Sequence, residues 1–437
     1  MLGLTLALRL RQAGQQVTVF EAAPEWGGLA SAWRLGDVVW DRFYHVTLLS
    51  DSRLRAVLGE LGFSEELEWT TTKTGFFTDG KLHSFSTSLD FLRFPPLNLI
   101  DKTRLAATIL HASRIEDGRR LERIPIVEWL ERWSGKKVVD KIWRPLLRCK
   151  LGDQYEEASA AFIWATIRRM YAARRSGLKR EMFGYVRGGY ARVIDAFTRK
   201  LRADGVVLHA ASPVRRIESM DGKTRLQFAD GSTQLFDRAV VTAAAPLAAK
   251  LVPQLADDER SLLENVSYRG IVCASLLLRR PLSPYYVTNV TEAWTPFTGV
   301  IEMTALVDPK NFGGKTLVYL PKYIPADDPL FNASDAEIRA KFLDGLRRMH
   351  PSLSDDDVLA FQVARVKHVF AVSTLDYSDH LPPMTTSRPG VYLANSAHIV
   401  SGTLNVNETV ALAERAAELF LVDAAKASVP QLAEATA

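Results

Sequence analysis

The sequence contains very little cysteine. Cys149 and Cys273 are the only two in 437 residues, and the residues around them share no motif. Two isolated cysteines argue against a disulfide framework and favour a reducing compartment. There is also no C-x-x-C pair and no cluster of histidine and cysteine at metal-ligand spacing. We therefore expect neither a disulfide scaffold nor a metal site.

Long apolar runs are also absent. No span of 18 apolar residues occurs, which argues against a transmembrane helix. Arg9 and Arg11 interrupt the apolar run at the N-terminus, so this run does not have the pattern of a secretory signal. These two absences predict a cytoplasmic protein.

The remaining composition is that of a globular protein large enough for two domains, with 47% hydrophobic and 24% charged residues. The formal net charge of +5 permits an acidic substrate or an anionic surface without requiring either. Aromatic residues are not interleaved with the basic ones, so we expect no nucleic-acid binding. We find no Ser-His-Asp arrangement and no pair of catalytic carboxylates, a pattern consistent with chemistry carried by a cofactor.

The first thirty residues have the pattern of a dinucleotide-binding unit. An apolar run with helical spacing starts after Gly3 and stops near Gly14, and a short β-type run, Val17–Phe20, precedes Glu21. An acid that ends the second strand of such a unit bonds a ribose hydroxyl, about 20 residues after the glycine turn. Glu21 is therefore the predicted ribose ligand.

Only the second half of that unit is present. Gly3 fits the third glycine of G-x-G-x-x-G, where it allows close packing of helix and strand. The first strand and the two phosphate-facing glycines are expected before Met1, or else this chain has lost them. On either interpretation, we expect the chain as given to bind the cofactor poorly, because a central strand and its amides are lacking.

A pair of glycines follows the predicted ribose ligand. Gly27 and Gly28 lie six and seven residues after Glu21 and would let backbone amides approach a pyrophosphate. Here the sequence resembles the superfamily of flavin-dependent amine oxidases, protoporphyrinogen oxidases and phytoene desaturases. Many relatives have an arginine after the glycine pair, whereas this chain has Leu29 and Ala30.

The resemblance implies further contacts with FAD, which we expect to be bound non-covalently because no cysteine or histidine lies in an attachment context. Val214 would lie beside the adenine, and Ala243 and Pro246 would end a buried strand beside the cofactor. Near the C-terminus, Asn395 occupies part of a motif in which relatives have Gly-Asp. The next helix would begin at the flavin, where its first amides stabilise negative charge. The residues predicted to supply these helix-start contacts are Asn405, Val406 and Asn407.

The resemblance also places the segment after Trp33 close to the flavin ring. Its polar residues, Asp41, Arg42, Tyr44 and His45, are candidates for lining the active site. For His45, an ordinary loop histidine is the alternative interpretation.

The implied fold class is α/β: a Rossmann-like FAD-binding domain of the GR2 type built from discontinuous segments, with a mixed α+β substrate domain. The FAD-binding segments are residues 1–89, 184–266 and 371–422. The substrate domain comprises a helical insertion, 90–183, and a β-rich part, 267–370. We expect a disordered tail at 423–437.

In relatives, such a helical insertion builds part of the substrate cavity and sometimes faces a membrane. Asp101 is predicted to cap one of its helices. A basic cluster near its end could contact anionic lipid or a phosphorylated substrate, although a solvated helix face is the alternative. The cluster comprises Arg168, Arg169, Arg174, Arg175, Lys179 and Arg180.

These features predict an FAD-dependent oxidoreductase that acts on a small molecule. The last loop, residues 396–407, has no aromatic residue, which argues against a simple amine oxidase and favours a desaturase-like or oxidase-like reaction on an apolar substrate. One alternative is a non-redox mutase that acts on a nucleotide sugar, with arginines of residues 168–187 holding the diphosphate. A second alternative is a remnant of the fold that binds no flavin.

Overall fold

The computed structural model describes residues 1–172, 182–400 and 402–428, with side chains as far as residue 424. The α-helices of these residues are α1 (Leu2–Gln12), α2 (Ser52–Glu60), α3 (Ser88–Arg93), α4 (Leu99–Arg114), α5 (Ile126–Ser134), α6 (Lys136–Val138), α7 (Arg144–Leu151), α8 (Ala160–Ala172), α9 (Gly189–Ala203), α10 (Ala245–Leu251), α11 (Asp257–Glu264), α12 (Asp335–Met349) and α13 (Val406–Ser428).

The strands belong to several sheets. They are β1 (Thr18–Phe20), β2 (Ala32–Leu35), β3 (Val38–Asp41), β4 (Thr47–Leu48), β5 (Leu67–Thr71), β6 (Thr74–Thr78), β7 (Lys81–Ser84), β8 (Met182–Val186), β9 (Val207–His209), β10 (Val214–Met220), β11 (Lys223–Phe228), β12 (Thr233–Phe236), β13 (Ala239–Val241), β14 (Tyr268–Leu278), β15 (Val287–Val290), β16 (Gly299–Glu302), β17 (Thr316–Pro325), β18 (Val358–Ala371) and β19 (Val391–Leu393).

The largest sheet has seven strands in the order β18-β14-β17-β16-β15-β6-β7. Strand β14, next to the edge strand β18, is buried along its whole length, so both faces of the sheet are covered there. Val272, Ala274 and Leu276 pack on one side with α12. Ile271 and Cys273 point the other way, into a core that includes helices of the insertion. Successive side chains of a strand face opposite sides of the sheet, so β14 contributes residues to the cores on both sides.

Two parallel strand pairs flank helix α1. Strand β1 pairs with β9, and β13 pairs with β19. Leu4 and Leu8 of α1 pack in the core beside the first pair, while Leu6 and Leu10 pack with residues of β19 and α13. Gly3 lies next to Thr242, just after β13 ends. The carboxyl ends of both strand pairs therefore lie at the end of the molecule where α1 begins, the usual place for a ligand in α/β sheets.

The helical insertion comprises α3 to α8. Asn98, rather than Asp101, is the N-cap of α4: its Oδ1 accepts a hydrogen bond from the Asp101 amide at 2.9 Å. Asp101 Oδ2 accepts one from the Asn98 amide at 3.1 Å, so the two residues form a reciprocal capping box. The prediction that Asp101 caps this helix is corrected accordingly.

The C-terminal helix is longer than expected. Helix α13 continues to Ser428, so the predicted start of a disordered tail at 423 falls inside a helix. The run from 423 to 428 is rich in alanine, which favours continuation of a helix that is already packed. Residues 429–437 lie outside the described part of the chain. None of the described helices is long and apolar enough to cross a membrane.

Candidate active site

Glu21 lies at the carboxyl end of β1. Its amide donates to the carbonyl of His209 at 2.9 Å, and its own carbonyl accepts from the Ser212 amide at 2.8 Å. The carboxylate Oε1 accepts from the Ala23 amide at 2.9 Å. Oε2 makes no hydrogen bond within the described residues. The side chain is partly buried, so this oxygen is placed to accept a bond from a ligand at the end of the strand.

Val214 begins β10 close to Glu21. The chain connecting β9 to β10 is held against the residues after β1 by the Ser212 bond and by the Ala211 amide, which donates to the carbonyl of Ala23 at 2.9 Å. Val214 packs partly buried beside Phe20 in one core cluster. Two predicted adenosine contacts, far apart in sequence, are thus brought to one edge.

The glycine pair forms a tight turn directly after this edge. Gly27 and Gly28 have φ of 113° and 59°, in the left-handed region that favours glycine. A Cβ on Gly27 would lie 3.1 Å from the Ser31 amide nitrogen and 3.2 Å from Ile194 Cγ1. Both the backbone conformation and the limited space therefore require glycine at position 27. A Cβ on Gly3 would make only an ordinary 3.7 Å contact with Thr242, so crowding does not require glycine there.

Asn395 follows β19, the partner of β13, and is only 1% exposed. Its Oδ1 accepts from the Ala397 amide at 3.1 Å and from the Tyr268 hydroxyl at 3.4 Å. The Tyr268 hydroxyl also accepts from the Ala245 amide at 3.3 Å. Tyr268 therefore ties the ends of β13 and β19 together, and Ala243 and Pro246 flank this junction.

The side-chain amide nitrogen of Asn395, Nδ2, is a buried donor at the end of β19 that is suited to a bound group. Asn395 Nδ2 is buried and makes no hydrogen bond within the described residues. An unpaired buried donor costs about 1–3 kcal/mol. Burial raises the pKa of Tyr268, so its hydroxyl stays protonated and Oδ1 remains an acceptor of that hydrogen. Nδ2 is then left as a donor for an oxygen of a bound group.

The start of α13 uses its side chains within the protein. Asn405 Oδ1 caps α13 by accepting from the Glu408 amide at 3.0 Å. Asn407 Oδ1 accepts from the amides of Arg53 and Leu54, each at 3.1 Å, and so caps α2 instead. Val406 packs against the core cluster beneath α2. At this helix start, backbone amides rather than the asparagine side chains are the groups suited to a cofactor.

The candidate active-site residues at the end of β3 and just after it contact different parts of the protein. Asp41 is 2% exposed and accepts from the Tyr190 amide at 2.7 Å. His45 Nδ1 lies 3.6 Å from Asp41 Oδ2 and makes no hydrogen bond within the described residues. Arg42 instead reaches Glu25, at 3.3 Å, near the glycine turn.

Tyr44 meets an aromatic wall on the large sheet. Its hydroxyl lies 2.7 Å from that of Tyr323 on β17. Tyr319 lies four residues before Tyr323 on the same face of β17. Its hydroxyl donates to the Asp41 carbonyl at 2.6 Å and so fixes the end of β3 against the sheet. Phe370 of β18 lies beside Tyr323, with ring centroids 5.7 Å apart. The structure thus joins the predicted site segment to residues more than 250 positions away.

Lys150, at the end of α7, was not predicted from the sequence. Its Nζ lies 3.5 Å from the ring centroid of Tyr323 and 5.0 Å from that of Phe370. Desolvation lowers the pKa of Lys150 to about 7. No local signal marks it, since it follows Arg148 and Cys149 in a helix that also exposes charged residues.

The basic cluster proposed as a ligand site is only partly described. Arg168 donates to the Glu116 carbonyl at 2.8 Å, and Arg169 pairs with Asp51 at 3.2 Å. Both guanidinium groups are therefore used within the protein. The remaining members, Arg174, Arg175, Lys179 and Arg180, lie outside the described residues.

Comparison with known proteins agrees with this architecture. No curated protein matches the chain. Among solved structures, a provisionally assigned protoporphyrinogen oxidase from Exiguobacterium sp. 255-15 has 20% identity and a TM-score of 0.76, covering 97% of each chain. Putrescine oxidase bound to putrescine has 15% identity and a TM-score of 0.70, covering 96% of each chain.

Reduced UDP-galactopyranose mutase has 15% identity and a TM-score of 0.74, covering 96% of this chain and 93% of that one. At these identities the solved structures establish a shared mixed α/β fold and do not distinguish an oxidase from a mutase. A family model for flavin-containing amine oxidoreductases matches residues 2–421. The chain therefore belongs to the flavin-containing amine oxidoreductase family.

Proposed function

We propose that this protein is an FAD-dependent oxidoreductase that removes a hydride from an apolar substrate. The observation that carries the proposal is the wall formed by Tyr44, Tyr323 and Phe370, which meets the predicted site segment beside Asp41 and His45. Aromatic and apolar linings are typical of pockets that bury most of an apolar ligand.

The residues present fit FAD on two grounds. Asn395 Nδ2 is a buried donor that lacks a partner among the described residues. Gly27 leaves a space that a Cβ would fill, in a turn beside Glu21. In this proposal Glu21 and Val214 hold the adenosine, Gly27 and Gly28 approach the pyrophosphate, and Asn395 bonds the ribityl or phosphate region.

When bound, FAD supplies a two-electron acceptor. The chain itself binds, orients and shields the substrate. Tyr319 fixes β3 against the large sheet, and the aromatic wall keeps water from one side of the substrate. Burial raises the pKa of Tyr44 to about 12 and also raises the pKa of Tyr323, so both hydroxyls stay protonated near neutral pH. They can hydrogen-bond a substrate, but they are poor bases.

An amine oxidase and a mutase have less support. The 396–407 loop lacks the aromatic residues expected of a simple amine oxidase. For a nucleotide-sugar mutase, Arg168 and Arg169 would have to give up bonds that they already make within the protein. No contact of the described residues favours a diphosphate there.

The test begins with the flavin. We expect protein that is extended at its N-terminus with the predicted first strand and glycines, and supplied with FAD, to release intact FAD on denaturation. Holoenzyme is then mixed anaerobically with protoporphyrinogen, putrescine or UDP-galactopyranose while the visible flavin band is followed. Bleaching by protoporphyrinogen or by its neutral dimethyl ester supports the proposal, because both carry the apolar reduced macrocycle that donates the hydride. Bleaching by putrescine favours amine oxidation, sugar-ring isomerisation favours the mutase, and protein that retains no flavin favours the remnant.

A further inference from the structure

The side-chain amine of Lys150 has no acidic partner among the described residues. It lies over the rings of Tyr323 and Phe370, and it makes no hydrogen bond or salt bridge within the described residues. The side chain is only partly buried, although both rings beside it are at least nine-tenths buried. Lys150 therefore keeps some solvent-accessible surface beside the two rings.

The charged and titratable groups around Lys150 include no paired acid. Tyr323 of β17 lies against the lysine, and the groups next to Tyr323 are Tyr44 and the Cys273 thiol. Lys322 of β17 and Arg148 are the cations near the neighbouring Cys149. On α7 itself, Arg148 pairs with Asp153 at 3.3 Å, both of them exposed. None of these groups neutralises an ammonium at the rings.

Arg269 adds a second cation at the same end of α7. It is 1% exposed and donates to the carbonyl of Leu151, the residue after Lys150. Its Nε and Nη1 are buried without a partner among the described residues. On β14, Arg269 pairs across the sheet with Phe370, one of the rings beneath Lys150. Arg269 is therefore a positioning residue that fixes the helix end, and its charge is partly offset by Asp153 and Glu157.

We propose that the substrate carries a carboxylate on an apolar body, and that Lys150 binds this carboxylate beside the aromatic wall. This inference rests on the proposed function and specifies its substrate class. An ammonium held among aromatic rings is poorly solvated, and a carboxylate that enters with the substrate restores its electrostatic partner. Desolvation lowers the pKa of the lysine to about 7, so a neutral site becomes charged when the anion binds.

The experiment uses the holoenzyme and three probes of one shape: 1-naphthoate, 1-naphthamide and 1-naphthylmethylamine. Equilibrium dialysis measures their binding without relying on turnover. We expect naphthoate to bind roughly tenfold to a hundredfold more tightly than the amide, the range for a charge-assisted bond. Its affinity should fall as the pH rises above 7, while that of the amide stays constant.

Variants at two lysines complete the test. Lys150→Met should reduce naphthoate affinity to that of the amide, and Lys150→Arg should restore part of it. Lys136→Met, an exposed lysine in the same helical stretch, should change nothing. The inference is overturned if naphthoate does not bind, if the amide or amine binds as tightly, or if Lys150→Met has no effect. Flavin release and reduction by a neutral apolar donor are scored separately, so the oxidoreductase proposal can stand when this one fails.

Discussion

Among single residues, Glu21 is the anchor of the proposed nucleotide site. Glu21→Ala should weaken FAD binding roughly tenfold to a hundredfold and leave the fold intact, because it removes a hydrogen bond to a charged group worth about 1.5–3 kcal/mol. Titration of FAD, followed by flavin fluorescence, measures the change. Glu25 is the matched control: it lies in the same loop and makes only an exposed pair with Arg42. Equal affinities for Glu21→Ala and Glu25→Ala would remove the ribose role.

Gly27 tests whether the glycine turn is shaped for a ligand. Gly27→Ala forces a side chain into φ of 113° and against the Ser31 backbone, so it should destabilise the fold by about 1–3 kcal/mol and weaken FAD binding. Gly62→Ala is the control, with φ of 86° and no atom within 4 Å of the new Cβ. Denaturant unfolding and FAD titration of both variants separate backbone strain from cofactor contact. Unchanged FAD affinity in Gly27→Ala would contradict the assignment of this turn.

At the scale of elements, helices α2 and α13 depend on each other. Asn407 at the start of α13 accepts from two amides at the start of α2, where Asp51 makes no side-chain cap. Asn407→Ala should reduce the free energy of unfolding by about 1 kcal/mol, since it removes an N-terminal cap. Asn265→Ala, an exposed asparagine bonded only to Ser261, should cost much less in the same urea titration. If Asn407→Ala leaves the free energy of unfolding unchanged, water replaces the cap.

The pair α3 and α4 presents an unusual apolar surface. Leu89 and Leu92 are 52% and 56% exposed, and Leu99 and Ile100 are each 70% exposed. Lys102 Nζ donates to the Leu92 carbonyl at 2.7 Å, so the two helices are adjacent. Arg93 and Arg104 are exposed nearby without an ion pair among the described residues. Contiguous apolar exposure next to free cations suits an anionic membrane, and we propose that this surface docks there.

Vesicle sedimentation tests that proposal. The protein should bind phosphatidylcholine vesicles only when they contain phosphatidylglycerol, and the double substitution Leu99→Asp/Ile100→Asp should abolish binding. Leu235→Asp is the control, because Leu235 is 64% exposed on β12, away from this surface. If the double substitution does not reduce binding, the surface has another role.

For the whole molecule, bound FAD would contact both the β1–β9 pair and the β13–β19 pair, which lie on either side of α1. Glu21 follows the β1–β9 pair and Asn395 follows the β13–β19 pair. Bound FAD should therefore raise the melting temperature, with about 2.7 kcal/mol of stabilisation at a hundredfold excess over Kd. Riboflavin, which lacks the adenosine and the pyrophosphate, should stabilise much less at the same concentration. Equal stabilisation by both ligands would show that the adenosine does not reach Glu21.

The sequence by itself determined the order of the cofactor segments. Helix α1, strand β1 and Glu21 are local patterns of spacing and polarity, and such patterns do not depend on distant partners. The resemblance to flavin-dependent amine oxidoreductases, carried by those segments, is confirmed by the family match over residues 2–421. Helix α12 was predictable for the same reason, since its amphipathic run follows a complete capping box at Ser334 and Glu337.

Only the tertiary structure decided which residues meet at the substrate. Lys150, Tyr323 and Phe370 come from a helix and two strands, and no periodicity in their own segments marks them as neighbours. Tyr319 and Trp294 illustrate the same limit: both are aromatic residues of the β-rich segment, yet they pack on opposite faces of the large sheet. Alternation along a strand predicts that its side chains face two ways, but the helices that cover each face determine which side becomes the site.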